Sequence, residues 1–337
     1  MMNSVGSIRL AHVLLAALTL AVLSTPQTSQ AQQNWQATVG AQTSDRAHQA
    51  LAFLPNELWI HAGDTITWTA KADDIHTVTF LTATQTVPDF QTGCPGYSPS
   101  GSSFDGSACI SAPPLAKGQT YAVVFPKAGN YKVECLVHNY MTGTIHVLDG
   151  SLPLPHNQDS YNELAAAQTK LLFSEGDQEM RMAHDDDSVR VYSHHLNVTA
   201  GVGEVSATAG GTQVGSLVRF LNGTIQIREG DTVEWSNLDP QEPHTITFGT
   251  EPANPFPPSP NVTVDADGVR HATINSISDS VHSGFIEATF QDFPGLISEN
   301  PLDHTRFRIT FTDAGTYDYR CVLHDNLGMM GKIIVLP

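Results

Sequence analysis

The stretch Tyr317–Gly331, YDYRCVLHDNLGMMG, decides the fold because it places three potential metal ligands on one short segment. Cys321 stands at the end of a predicted strand, His324 follows three residues later, and Met329 follows five residues after that. A thiolate, an imidazole and a thioether are soft to borderline ligands, and a second imidazole would complete the trigonal His2Cys set with a weak axial Met that suits copper. The segment therefore predicts a metal site that needs one more histidine.

That histidine is found in residues 230–250, GDTVEWSNLDPQEPHTITFGT, after an alternating strand and a polar turn. Together, GDTVEW, PHTITF and GTYDYRCVLHDNLGMMGKIIV resemble the copper-binding pattern of the plastocyanin and pseudoazurin family of cupredoxins. Met330 competes with its neighbour, but the C-x2-H-x4-M spacing of plastocyanins selects Met329. The resemblance implies that the copper ligands are His244, Cys321, His324 and Met329.

The same pattern occurs a second time, nearer the N-terminus. Residues 63–80, GDTITWTAKADDIHTVTF, and residues 129–147, GNYKVECLVHNYMTGTIHV, repeat the order of strand, turn, His, Cys, His and Met. The C-x2-H-x2-M spacing of this loop is similar to that of amicyanins, and the resemblance implies the ligands His76, Cys135, His138 and Met141. Repetition of a complete ligand set argues against chance. We expect two type 1 copper sites, one in each of two domains.

The remaining pattern predicts an all-β protein. The length of 337 residues suits about two domains. Short alternating segments between Gly, Asp and Pro are typical of antiparallel sandwiches with Greek-key connections, which is also the cupredoxin fold. We expect two Greek-key β-sandwich domains, at 32–150 and 191–337, joined by a linker at 151–190. The predicted strands are Trp35–Val39, Leu58–His61, Thr65–Thr69, His76–Leu81, Thr120–Phe125, Tyr131–Cys135, Thr144–Val147, Thr224–Arg228, Thr232–Trp235, Thr245–Phe248, Arg306–Phe311, Tyr317–Cys321 and Lys332–Leu336.

The linker contains the best helical segment after residue 31. A capping box at Ser160–Glu163 precedes the short helix predicted at Leu164–Phe173. Two interpretations stay open at this point. The helix either docks between the domains and sets the distance between the copper sites, or it is a solvated spacer.

Residues 1–31 are expected to be a signal peptide. Arg9 precedes an apolar run over Leu10–Leu23, and small residues at Ser29 and Ala31 suit a signal peptidase. An uncleaved N-terminal anchor is the alternative. The expected location is periplasmic or secreted, with no membrane span in the mature chain.

Two of the four cysteines lie outside the copper motifs. Cys94 and Cys109 flank a loop rich in Gly, Pro and Ser, and an oxidising compartment favours a disulfide between them. A second metal site there is less favoured, because the loop has no histidine and Asp105 is its one carboxylate. The net charge of −18 argues against nucleic acid and anionic lipid as partners.

Three functions compete at this stage. The favoured one is an electron carrier, not an enzyme, that serves a redox donor and acceptor docking weakly near His138 and His324; the resemblance implies that these two imidazoles reach the surface. Nitrite reductases and multicopper oxidases are also tandem cupredoxins, but they carry a histidine beside the copper cysteine, where this chain has Glu134 and Arg320. Copper storage or delivery is the third possibility. The different loop lengths predict different reduction potentials at the two sites.

Overall fold

The structure is a computed structural model and describes residues 31–185, 195–288 and 302–337. Strands from the first half of the chain (residues 32–150) are β1 (Asn34–Gln42), β2 (His48–Leu54), β3 (Glu57–His61), β4 (Thr65–Ala70), β5 (Thr79–Phe80), β6 (Ser102–Ser103), β7 (Ile110–Ser111), β8 (Thr120–Val124), β9 (Gly129–Glu134) and β10 (Thr142–Leu148). A long helix follows, α1 (Gln158–Asp185). The second half (residues 195–337) contains β11 (His195–Thr208), β12 (Gly211–Leu221), β13 (Thr224–Arg228), β14 (Thr232–Leu238), β15 (Thr247–Phe248), β16 (Thr263–Val264), β17 (Arg270–Ile274), β18 (Val281–His282), the short helix α2 (Leu302–Thr305), β19 (Arg306–Phe311), β20 (Gly315–Arg320), a 3-10 turn (Asp325–Leu327) and β21 (Met330–Leu336).

Each half forms two β layers around its own apolar core. In the first half, the sheet β3-β10-β9-β5-β7 faces strands β2, β1, β4, β8 and β6. In the second half, the sheet β13-β21-β20-β15-β18 faces strands β16, β17, β19, β14, β11 and β12. Strands β4 and β14 alternate between buried and half-buried residues, and each inserts a fully buried tryptophan, Trp68 or Trp235. These layers confirm the all-β prediction.

The two sandwiches share one sheet. Strand β12 pairs with β2 in antiparallel register, with Val214 opposite Leu51 and Leu217 opposite His48. The pairing makes an eleven-stranded sheet in the order β16-β17-β19-β14-β11-β12-β2-β1-β4-β8-β6. Residues 32–337 therefore form one compact unit, joined by backbone pairing as well as by the linker.

Helix α1 is longer than the predicted Leu164–Phe173 and lies against strands β1 and β2 of the first half and β11 and β12 of the second. The Tyr161 hydroxyl donates to the carbonyl of Trp59 at 2.8 Å and accepts from its amide at 2.7 Å. Further along, Leu172 is 1% exposed and packs with residues of β2, namely Ala50, Ala52 and Leu54. Helix α1 thus contacts both halves and is not a solvated spacer, and its effect on the distance between the copper sites stays a prediction.

The predicted disulfide joins Cys94 to Cys109 in the insertion between β5 and β8, with the two Cα atoms 5.6 Å apart. Cys135 and Cys321 are free and buried. Among the described residues, no helix combines the length and apolar content needed to cross a membrane. The expected signal peptide lies outside the described residues except for Ala31.

Removing the disulfide is expected to weaken the fold. The double variant Cys94→Ser, Cys109→Ser frees a loop with a sequence separation of 15 residues, and the chain-entropy relation then gives a loss of about 3 kcal/mol in the free energy of unfolding. Urea denaturation under oxidising conditions measures the loss. Reduction of the unaltered protein should reproduce it, and an unchanged denaturation midpoint would show that the loop is already ordered without the bond.

Candidate metal centres

In the first half, His76, Cys135 and His138 converge at one end of the sandwich. His76 precedes β5 and forms an isolated bridge with Leu115, whereas Cys135 directly follows β9. The Nδ1 atoms of the two histidines lie 3.0 Å apart, and the Cys135 Sγ lies 3.6 Å from Nδ1 of His138. All three side chains are buried. Three potential ligand atoms are thus held together away from solvent.

Backbone hydrogen bonds fold the following loop back onto the cysteine. The amide of Met141 donates to the carbonyl of His138, and the amide of Cys135 donates to the carbonyl of Met141, both at 3.0 Å. Met141 is fully buried in the same apolar cluster as Cys135. The short C-x2-H-x2-M spacing therefore closes one tight loop that carries three of the four predicted ligands.

The second half repeats this arrangement with a longer loop. The Nδ1 atoms of His244 and His324 lie 3.1 Å apart, and the Cys321 Sγ lies 3.5 Å from Nδ1 of His324 and 3.9 Å from Nδ1 of His244. The Met329 amide donates to the carbonyl of His324 at 3.1 Å, and the 3-10 turn takes up the extra residues. Met329 is fully buried whereas Met330 is 59% exposed, which supports the choice of Met329.

Both cysteines are prepared as thiolates. The amide of Thr77 donates to the Cys135 Sγ at 3.3 Å, and the amide of Thr245 donates to the Cys321 Sγ at the same distance. Burial alone would raise the pKa of Cys135, but the neighbouring His138 and His76 outweigh it and lower the pKa to about 5. The pKa of Cys321 is likewise held well below its ordinary value, against burial, by His324 and His244. The thiolate is the form that binds metal.

A glycine supports the upstream histidine of each site. Gly40 and Gly201 have φ values of 67° and 74°, a backbone conformation that favours glycine. A Cβ atom at either position would collide with the imidazole ring of His76 or His244, respectively. Both positions therefore require glycine because the backbone closely approaches the ring of a candidate ligand.

The donor set of each centre fits copper. Two imidazole nitrogens, one thiolate and a buried thioether in the same loop are the ligand types of a trigonal copper site with a weak axial Met. His76, Cys135, His138 and Met141 would hold one ion, and His244, Cys321, His324 and Met329 the other. Copper would supply one-electron redox chemistry there.

The expectation that His138 and His324 reach the surface is wrong. They are 2% and 5% exposed, because a turn of the second half and the copper loop of the first half cover one another. At this junction, Glu242 places Oε1 3.0 Å from Nε2 of His138 and Oε2 3.3 Å from Nε2 of His324. Asp74 Oδ2 lies 3.2 Å from Nε2 of His138.

Sequence reasoning missed both carboxylates. Asp74 stands two residues before His76, and Glu242 stands two residues before His244. This repeated position was a detectable signal. The role of these carboxylates depends on how the two halves face each other. The sequence pattern of one domain contains no information about that contact.

These carboxylates control the charge of the buried junction. Burial opposes the charged form of His138, but Glu242 and Asp74 outweigh it and raise the pKa of the imidazole well above its ordinary value. The pKa of His324 is raised in the same way, against burial, by Cys321 and Glu242. Burial would raise the pKa of Glu242, yet His138 and His324 hold it well below its ordinary range. The carboxylates and imidazoles of the junction therefore shift one another's pKa values in opposite directions.

A cavity of about 280 Å³ lies over the same junction. Its polar wall includes Asp74, His138, Glu242 and His324. The apolar wall includes Ile75, Val137, Phe256, Phe285 and Leu323, among which Ile75 and Phe256 are 38% and 40% exposed. A single cavity thus reaches an outer histidine of both centres.

Residues 40–148 and 206–336 match the profile described as copper binding proteins, plastocyanin/azurin family. The matched segments make up more than half of the chain, and each contains one complete His-Cys-His cluster. The chain belongs to the plastocyanin/azurin family of copper-binding proteins.

Solved structures similar to this chain include two amicyanin mutants. A reduced mutant has 21% sequence identity and a TM-score of 0.24, with the match covering 34% of this chain and 80% of the amicyanin. The Cu(I) form of another mutant has 22% identity and a TM-score of 0.25, with coverage of 35% and 85%.

Proposed function

We propose that this protein is an exported, two-site blue copper protein that carries single electrons between redox partners. The observation that carries the proposal is the convergence, in each half, of two Nδ1 atoms and a thiolate beside a loop that buries a methionine. Membership of a copper-binding family supports the metal. A buried His2Cys set with a weak axial Met is the site type associated with electron transfer.

The protein's own residues provide what such a carrier needs. Thr77 and Thr245 donate backbone N–H groups to the thiolates and so stabilise their negative charge. Burial of both cysteines and of the four histidines keeps water away from the metal positions. The rigid sandwich ends hold the donor atoms in place, which limits rearrangement when the metal changes oxidation state.

Redox partners are proposed to dock at the mouth of the shared cavity, near His138 and His324. Ile75 and Phe256 give the rim exposed apolar surface, which suits weak and transient contacts. The net charge of −18 favours partners with a basic docking surface. A periplasmic or secreted location is part of the proposal, and the disulfide between Cys94 and Cys109 supports it.

One observation favours the alternative of a copper-dependent oxidoreductase. Asp74, His138 and Glu242 could hold a further metal ion, since one ligand atom from each lies within 4.8 Å of the others. Against this, Glu134 and Arg320 occupy the positions before the copper cysteines, where such enzymes place a histidine bridge. Copper delivery is disfavoured because the candidate histidine and cysteine ligands of both centres are buried. Delivery requires ligands that can pass copper to another protein.

Copper titration of the mature protein tests the proposal. We expect two equivalents and an intense thiolate-to-copper absorption band, which Cys135→Ser and Cys321→Ser should each reduce by about half because each removes one thiolate ligand. The Cys94→Ser, Cys109→Ser variant is the control and should keep the full band. Absence of the band would contradict the carrier. A third equivalent with an ordinary copper paramagnetic resonance signal would favour the enzyme.

A further inference from the structure

One carboxylate spans the gap between the two metal centres. The Oε1 and Oε2 atoms of Glu242 face Nε2 of His138 and Nε2 of His324 at 3.0 and 3.3 Å. Both histidines turn Nδ1 towards their own cysteine. An imidazole that gives Nδ1 to a metal carries its proton on Nε2, so both rings would present an N–H donor to this carboxylate.

The turn that carries Glu242 is held firmly on both sides. Within the second half, the Asp239 carboxylate accepts the Glu242 amide at 3.0 Å, and the Asn237 side chain donates to the Glu242 carbonyl at 2.7 Å. Across the interface, the Tyr140 amide in the first-half copper loop donates to Oε1 of Gln241 at 2.7 Å. The fold therefore fixes the carboxylate between the centres instead of leaving it on a free surface loop.

The two halves use this position differently. Asp74 and Glu242 occupy equivalent positions, two residues before the upstream histidine of each half. The shorter Asp74 contacts His138 of its own half, whereas the longer Glu242 contacts histidines of both halves. Among the described residues, His138 thus contacts two carboxylates and His324 contacts one.

We propose that Glu242 couples the two metal centres: it positions both outer imidazoles and provides a path of close contacts, His138–Glu242–His324, by which one centre would pass an electron to the other. This inference rests on the proposed function. With copper bound at both sites, one electron would leave the reduced centre and arrive at the oxidised centre while both Nε2 protons stay in place, so no other reagent would be consumed.

The uneven number of carboxylates gives the path a direction. Negative charge near a metal stabilises its more positive oxidation state, and His138 carries the additional contact with Asp74. The first-half centre should therefore have the lower reduction potential because of this charge. Electrons would then move from the first-half centre to the second-half centre.

Three isosteric variants test the coupling. Glu242→Gln keeps the shape but leaves one acceptor oxygen for two N–H donors. Asp74→Asn removes the charge of a carboxylate that contacts His138 but not His324. Glu57→Gln is the matched control, since Glu57 Oε1 lies 2.9 Å from Nε2 of His146 in a histidine–carboxylate pair outside both centres.

Each centre is measured separately, in the Cys135→Ser or Cys321→Ser background, by redox titration and by NMR of the imidazole Nε2–H protons in the diamagnetic Cu(I) form. Glu242→Gln should raise both reduction potentials and weaken the Nε2–H hydrogen bond of at least one outer histidine. Asp74→Asn should raise the potential of the first-half centre alone, and Glu57→Gln should change neither. In the two-copper protein, the rate of electron exchange between the centres is measured after rapid injection of one electron. Glu242→Gln should lower this rate on the order of tenfold or more.

The outcomes separate this inference from the proposed function. Absence of two blue centres in the unaltered protein contradicts the function. A second outcome is that the unaltered protein shows two blue centres whose reduction potentials, Nε2–H signals and electron-exchange rate do not change in Glu242→Gln. That result would overturn the coupling but leave the proposed function in place. A third metal equivalent that Glu242→Gln removes also overturns it, because the carboxylate would then be a ligand of that ion.

Discussion

Gly201→Ala is expected to weaken copper binding at the second-half centre, and so to reduce its thiolate-to-copper absorption at limiting copper, while leaving the first-half band in place. Gly201 has a φ of 74°, and an added Cβ would collide with the ring of His244, coming within 2.8 Å of its Cδ2 atom. The ring is fully buried and has no room to retreat. We expect copper affinity at this centre to fall on the order of 10- to 100-fold, and the free energy of unfolding to fall by about 1–3 kcal/mol. Copper titration and urea denaturation measure the two effects.

Gly230→Ala is the matched control for that substitution. Gly230 also has a positive φ, of 87°, but an added Cβ there meets no atom within 4 Å. It therefore introduces similar backbone strain without a collision, and both bands should persist. Gly40→Ala should produce the mirror result at the first-half centre, since its Cβ would meet His76. Equal loss of copper in the Gly201 and Gly230 variants would show that strain, and not contact with the ring, is responsible.

Leu172→Ala is expected to lower the free energy of unfolding by about 2–5 kcal/mol, the usual cost of emptying a buried leucine site. Leu172 is 1% exposed and packs on β2, the strand that joins the two halves. Because the damage falls on the shared sheet, both halves should unfold earlier and together. Thermal unfolding followed by absorption at each copper centre, in the single-cysteine variants, measures this.

Leu171→Ala provides the comparison from the same helix. Leu171 is 50% exposed, so its truncation should change the free energy of unfolding by no more than about 0.5 kcal/mol. Two separate unfolding transitions in Leu172→Ala, one for each copper centre, would argue that the shared sheet does not make the halves cooperative.

The clustering of the candidate ligand side chains could be predicted from sequence because their spacing is local. Cys321, His324 and Met329 stand on one loop, and the copy at Cys135, His138 and Met141 repeats it. Alternating strands such as β4 and β14 were also predictable, since one face of each is buried and the other is partly solvated. Both predictions rested on local sequence patterns, namely the spacing of the candidate ligands and the alternation of apolar residues.

The strands that join the halves were not predicted. All seven residues of β2 are buried, because the core covers one face and helix α1 the other, so the strand shows no alternation. Strand β12 is buried over most of its length for the same reason. The burial of His138 and His324 was missed as a consequence, since it depends on contact between halves that periodicity does not report.

The continuous sheet bears on any attempt to divide this protein. A first half expressed alone would present β2 as an open edge, with the backbone groups that β12 now satisfies facing solvent. This edge has no charged residue from Gln49 to Leu54 and is mostly apolar. We therefore expect it to pair with a second copy of the first half and to aggregate. The two similar halves thus each cover the open sheet edge of the other.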